Sequence, residues 1–404
     1  MKAALASICL LGLLLAGPSC AVPLAPARRS ANASTSSSTS SSWSSSLYSN
    51  QNISNCQPLA PRAAPTSVHD LRADDIRVVA ALGDSITAAF GADGRTPGQP
   101  LFIENLNENR GVSFFMGGDP GAITVANFVH NYKPSLTGSS YGTHVTELCY
   151  GLLCPPLQYH PVQDRLNAAQ TGAMALNLQH ELNYLINEMQ QNSQVDMKND
   201  FKLLNIFIGN NDACSGCDPI SGSLWLSPDV FESAIRDILS QIQANIPRTV
   251  VNIVQQFNIS QVWDLTHNDS YCSTIRSEGL TFECTCAFLP GELGTLTRQR
   301  MDDLIQEYNG RLYAIWKDYQ AQTPDPSFAV VLDPSFTQIT IGAWPIQMLS
   351  DVDCFHPSVR AHELMAVSMW NNLFRPFSNK TTQANPYNPG AIFCPSDDSR
   401  IMTN

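Results

Sequence analysis

Ile76-Arg77-Val78-Val79-Ala80-Ala81-Leu82-Gly83-Asp84-Ser85-Ile86-Thr87 decides how the rest of the chain is read. Seven residues, apolar except for Arg77, run straight into Gly-Asp-Ser. A short apolar run of this kind fits a parallel strand buried on both faces. Where such a strand ends, a hydroxyl can stand at the edge of the sheet. Two readings of Ser85 are then open. Asp84 and Ser85 are both good helix N-cap residues. Alternatively, Ser85 is a nucleophile, provided a base and an oxyanion hole lie elsewhere in the chain.

Working outward, similar runs recur at residues 201–208, 250–255 and 328–332. Between and after them, apolar residues at helical spacing predict helices over 173–189, 230–246, 298–316 and 361–374. This alternation predicts a parallel sheet with helices on both faces. Ligands of such sheets bind at the carboxyl ends of the strands. Ser85 follows one strand and Asn211, in Ile208-Gly209-Asn210-Asn211-Asp212, follows another, so both point to the same edge. Residues 68–377 suit one large α/β domain, with a tail over 378–404 that carries Cys394.

The first 21 residues have the pattern of a secretory signal: Lys2, an apolar stretch from Ala3 to Leu15, and Ser19-Cys20-Ala21 at a cleavage site. The apolar stretch is too short to span a bilayer, and no other stretch qualifies, so a secreted, extracellular protein is expected. Residues 22–67 are expected to be a disordered linker, because Ser and Thr dominate residues 30–50 and offer little apolar surface to offset the entropy of ordering. Ten cysteines remain after the signal, which in an oxidising compartment suggests disulfides. The spacing of Cys214, Cys217, Cys284 and Cys286 also allows a zinc site, and pairing is not legible. Sequons stand at Asn32, Asn52, Asn258, Asn268 and Asn379. A net charge of −12 argues against nucleic acid and against anionic membranes as partners.

Near the C-terminus, Asp353-Cys354-Phe355-His356 places an acid three residues before a histidine. The carboxylate can hold Nδ1–H and leave Nε2 free to take a serine proton. His362 is followed by Glu363, but no second histidine follows at the spacing of a zinc protease, so no metal site is expected. Asn211 offers a side-chain amide to an oxyanion, Ser85 its own backbone N–H, and Gly172 an unobstructed one.

In order, Gly83-Asp84-Ser85, the Asn167–Gly172 segment, Gly209-Asn210-Asn211-Asp212 and Asp353-Cys354-Phe355-His356 resemble the four blocks of the GDSL, or SGNH, hydrolase family. Arg110-Gly111-Val112-Ser113, Gly117-Gly118-Asp119, Cys214 with Cys217, and Trp370-Asn371-Asn372 extend the likeness to the animal phospholipase B group, from about Val68 to Cys394. The resemblance implies a flavodoxin-like three-layer α/β/α sandwich with a central parallel sheet. It implies Ser85 as nucleophile, His356 as base oriented by Asp353, and Ser85, Gly172 and Asn211 as oxyanion donors. It implies a secreted serine esterase acting on phospholipids or lysophospholipids at a membrane or micelle surface, with no cofactor. A carbohydrate or small-molecule acyl esterase on the same fold, and an inactive binding protein, are the competing expectations.

Overall fold

The computed structural model describes residues 46–95, 105–155, 158–217, 226–277 and 284–404. The signal expected at 1–21, the sequon at Asn32 and the Ser/Thr-rich segment up to residue 45 lie outside them. Four parallel strands form the central sheet in the order β1 (Ile76–Gly83), β4 (Phe201–Phe207), β5 (Thr249–Val254), β6 (Phe328–Asp333). The short strands β2 (Asn107–Glu108) and β3 (His144–Val145) pair antiparallel to each other. The sheet strands are buried throughout except at Arg77. Val, Ile, Leu and Phe supply most of this burial, as a sheet covered on both faces requires.

The polar exceptions inside the sheet pair with the backbone or with one another, although Asn205 Nδ2 and Asn252 Oδ1 keep no partner among the described residues. Lys202 donates from Nζ to the carbonyls of Met197, Asp200 and Pro247, each at 2.8 Å. Asn252 Nδ2 donates to Asn205 Oδ1 at 3.0 Å across β4 and β5.

Seven helices matter for the site: α1 (Ser85–Ala88), α2 (Val125–Tyr132), α3 (Leu178–Gln191), α4 (Asn210–Cys214), α5 (Pro228–Asn245), α6 (Gly291–Gln320) and α7 (Val359–Leu373). α3, α5 and α6 pack side by side, α2 packs on α7, and β6 touches both α6 and α7. Those two helix layers enclose the sheet, giving a three-layer α/β/α sandwich. Among the described residues no helix is long and apolar enough to cross a membrane.

The helix expected from residue 173 begins only at Leu178. Gly172 takes a left-handed φ of 86° and Met174 is extended, so the chain turns there before it can coil. The expectation of disorder up to residue 67 does not hold over residues 46–67. Ser46 Oγ and Leu47 N–H donate to Glu363 Oε2 at 2.9 Å. Tyr48 is buried and its hydroxyl donates to Pro389 O at 2.9 Å. Leu47, Tyr48, Ile53 and a disulfide from Cys56 to Cys394 anchor what composition alone left free.

The ten cysteines form five disulfides: Cys56–Cys394, Cys149–Cys154, Cys214–Cys284, Cys217–Cys286 and Cys272–Cys354. The four cysteines whose spacing allowed zinc are thus paired with one another. Of the described sequons, Asn52, Asn268 and Asn379 are exposed and Asn258 is half-buried.

Candidate active site

The helix-cap reading of Gly-Asp-Ser holds at Asp84. Asp84 is the N-cap of α1, its Oδ1 accepting from Ile86 N–H at 2.9 Å. Ser85 is the first residue of that helix. Gly83 is required by closeness: a Cβ there would sit 2.6 Å from Phe207 O and 2.5 Å from Thr87 Oγ1. The buried Glu181 of α3 accepts from Gly83 N–H at 2.8 Å and fixes the strand's last peptide.

Ser85, His356 and Asp353 meet at the carboxyl end of β1. His356 Nε2 lies 2.7 Å from Ser85 Oγ. His356 Nδ1 lies 2.5 Å from Asp353 Oδ2. A ring nitrogen facing a carboxylate carries the hydrogen, so Nε2 is left as acceptor for the serine O–H. The other carboxylate oxygen of Asp353 accepts from the backbone N–H of Phe355 at 2.9 Å and of His356 at 3.0 Å. The spacing of three residues therefore closes a turn on its own carboxylate. All three side chains are buried, and Phe90 packs against the imidazole with ring centroids 4.7 Å apart.

Gly172 arrives by a different route. Ala81 N–H donates to Leu166 O at 3.0 Å, Ala168 N–H to Ala81 O at 2.9 Å, and Gln170 N–H to Gly83 O at 3.2 Å. Residues 166–170 thus extend along the free edge of β1, and the next residues emerge at its carboxyl end. The buried guanidinium of Arg110 holds this arm by donating to Asn167 O at 2.9 Å and Ala169 O at 2.8 Å. Burial pulls the Arg110 pKa down, but Glu108, Asp164 and Glu147 around it more than reverse this and keep it charged.

Asn211, in the first turn of α4 after β4, donates from Nδ2 to Ala173 O at 2.9 Å. Its neighbour Asp212 is buried and accepts from Ala175 N–H at 3.1 Å. The two therefore join the Asn-Asn-Asp turn to the Gly172 arm. Burial pushes the Asp212 carboxyl up to about 7, and that of Asp84 to about 6. His362 is a packing residue: its Nδ1 accepts from Phe114 N–H at 3.1 Å, and burial lowers its pKa to about 3.

An apolar pocket opens against the imidazole of His356, with Ile86, Phe257, Phe336, Trp344 and Met365 in its walls. Its surface is almost free of polar atoms, so nothing in it would stabilise a charged group. The reading of the sequence did not find Arg110, Glu181 or Asp212 as supports of the site. Glu181 left one signal: it sits among Leu178, Leu182 and Leu185 on the apolar face of α3, where an acid has no business without a partner.

The family model described as GDSL-like lipase/acylhydrolase matches residues 79–369. The rat protein named phospholipase B1, membrane-associated, is 30% identical over 349 residues, 84% of this chain and 22% of its own. The protein of the same name from Homo sapiens is 31% identical over 344 residues, 82% of this chain and 22% of its own. The chain spans about a fifth of the length of these curated relatives. With four motif blocks in order on a parallel sheet, and a family match over most of its length, the chain belongs to the GDSL-like lipase/acylhydrolase family of carboxylic ester hydrolases.

Proposed function

We propose that this chain is a secreted serine esterase that cleaves acyl esters of phospholipids or lysophospholipids through an acyl-enzyme. The observation that carries this reading is the continuous line Asp353–His356–Ser85, with contacts of 2.5 Å and 2.7 Å. Ser85 Oγ attacks the acyl carbonyl carbon while its proton passes to His356 Nε2. Asp353 stabilises the imidazolium that forms. The carbonyl oxygen becomes an oxyanion, held by the N–H groups of Ser85 and Gly172 and by Asn211 Nδ2. Asn211 spends one amide hydrogen on Ala173 O and keeps the other for the substrate. The ester C–O bond then breaks as His356 returns the proton to the departing alcohol. Water, giving its proton to the same nitrogen, releases the fatty acid and restores Ser85.

The apolar lining of the pocket beside His356 supports an uncharged, hydrocarbon acyl group. Relatives named as phospholipases support a glycerophospholipid headgroup. Five disulfides support an oxidising, extracellular setting.

The test is a substrate panel on the purified protein: phosphatidylcholine, lysophosphatidylcholine, an acetylated glycan and a nitrophenyl ester. Fatty acid release from the phospholipids, lost in Ser85→Ala with the fold intact, is expected. Acetate release from the glycan alone would move the substrate class. Turnover by Ser85→Ala would remove Ser85 as nucleophile, and failure of the wild type to react with a fluorophosphonate probe would make the chain a binding protein.

A further inference from the structure

A small hairpin stands against the Gly172 arm. Thr171 N–H donates to Glu147 O and Cys149 N–H to Thr171 O, both at 3.0 Å, so residues 147–149 run parallel to the arm just before Gly172. Tyr150 and Leu153 then exchange both backbone hydrogen bonds, at 2.9 Å and 2.8 Å, closing a two-residue turn over Gly151 and Leu152. The disulfide Cys149–Cys154 locks the turn. Its base is gripped from the body of the domain. Gly151 N–H donates to Asn177 Oδ1 at 3.0 Å, and Asn177 Nδ2 donates to Gly151 O at 2.6 Å. The Tyr150 hydroxyl meets Ser215 Oγ at 2.5 Å.

What this rigid turn displays is aliphatic. Leu152 is 78% exposed and Leu153 67% exposed. From Tyr141 to Gln163 the sequence holds one formally charged residue, Glu147, and that side chain is buried. The stretch that carries the tip therefore brings hydrocarbon and no exposed ionised side chain of its own to desolvate. A disulfide-locked turn loses little entropy on binding, so the full transfer free energy of its leucines is available. Each leucine moved from water into hydrocarbon is worth on the order of 1.5–3 kcal/mol, or roughly tenfold or more in partitioning. The placement favours lipid over another partner. The backbone carbonyl of Cys149 lies 3.0 Å from where a Gly172 Cβ would stand, so the hairpin adjoins the proposed oxyanion site. The net charge of −12 opposes anionic surfaces and leaves neutral or zwitterionic ones.

We propose that the Cys149–Cys154 hairpin inserts Leu152 and Leu153 into the surface of a zwitterionic lipid aggregate and so presents its esters to Ser85. The inference rests on the lipid esterase reading given above. The experiment measures flotation of the protein with phosphatidylcholine vesicles, and kcat/KM on a short, monomeric nitrophenyl ester, for wild type, L152S/L153S and Leu152→Trp. The double variant is expected to lose vesicle partitioning by roughly 100-fold, with kcat/KM on the soluble ester within about twofold. Leu152→Trp is expected to keep binding, with blue-shifted emission on vesicles. Unchanged partitioning of the double variant overturns the proposal. So does an equal fall on the soluble ester, which would make the hairpin a support for Gly172 alone. A wild-type dimer converted to monomer by L152S/L153S overturns it too, since a second copy would then cover the leucines. Vesicle binding by Ser85→Ala reads the hairpin independently of whether the site cleaves any ester.

Discussion

The two arms that reach Ser85 are secured in different ways. The arm of the proposed base, residues 350–358, is held by a covalent staple and by local turns. Cys354 is bonded to Cys272, Ser350 Oγ donates to Gly91 O at 2.5 Å, and Ser350 N–H donates to His356 O at 2.8 Å. The arm of the proposed oxyanion hole, residues 166–175, has no disulfide of its own. Buried charge holds it instead: Arg110 donates to two of its carbonyls, and Glu108 accepts from Thr171 Oγ1 at 2.6 Å. Around Arg110 stand Glu108, Glu147 and Asp164, and His144 lies 2.7 Å from Asp164. The difference teaches where each arm is weak. A staple constrains the unfolded chain and fails by reduction. A buried ion network is satisfied only when complete, and fails when one member is removed.

The largest expected effect comes from Arg110→Met, which leaves Glu108, Asp164 and Glu147 buried together without the cation they surround. Removing one partner of a buried ion network costs roughly 3–5 kcal/mol. Urea denaturation should show that loss, and for any folded fraction kcat should fall through disorder at Gly172. A stability within about 1 kcal/mol of wild type, beyond the usual scatter of surface substitutions, would mean that the arm is held by its pairing with β1 alone. Next is Asn211→Ala, which removes the one side-chain donor of the proposed oxyanion hole. It should lower kcat by roughly 10²–10³, about 2.7–4 kcal/mol on the barrier. An unchanged kcat would reduce Asn211 to a tie between α4 and Ala173.

Cutting the staple should cost somewhat less. Cys272 and Cys354 are 82 residues apart, and loss of a native disulfide of this kind costs about 2–4 kcal/mol. Cys354 also holds a left-handed φ of 56° between Asp353 and His356, so the paired serine variant should lose kcat while KM for a short ester changes little. A thermal scan and steady-state kinetics check both. Equal stability with unchanged kcat would show that the Ser350 turn is sufficient to aim His356, and would erase the contrast between the arms.

The base arm was legible in the sequence because its chemistry is local. Asp353 and His356 meet through a three-residue turn, and Ser85 follows directly on an apolar strand. The arm of Gly172 was legible only as a glycine able to offer an unobstructed N–H, not in what positions it. Gly172 depends on an edge pairing with β1 and on Arg110, about 60 residues upstream, and neither leaves a periodic trace. The helix start was misplaced at residue 173 for the same reason. Apolar spacing runs through Ala173 and Met174, while Gly172 and the Asp212 carboxylate impose the turn from a distance. Residues 46–67 were misread because composition averages over the few anchors, Tyr48 and Cys56 above all, that dock a polar segment.

The smallest effect, taken per pH unit, tests the tie between the oxyanion arm and α4. Burial raises the Asp212 carboxyl from its ordinary 3.8 to about 7. A carboxyl whose folded pKa is raised binds its proton more tightly in the folded state. Its contribution to stability is therefore fully present below pH 3.8 and is lost as pH rises through about 7. Asp212→Asn keeps a side-chain oxygen to accept from Ala175 N–H and removes the titration. Between pH 4 and 7 the difference in unfolding free energy should move in favour of the variant by up to about 1.4 kcal/mol per pH unit. Asp84, raised to about 6, remains in both proteins and cancels in that difference to the extent that the two carboxyls are independent. Urea titrations at four pH values read the slope directly. A pH-independent difference would mean that water reaches Asp212 and relieves its burial. Asp212 would then be ionised at neutral pH, and the arm would be tied to α4 by a carboxylate accepting from Ala175 N–H rather than by a neutral acid.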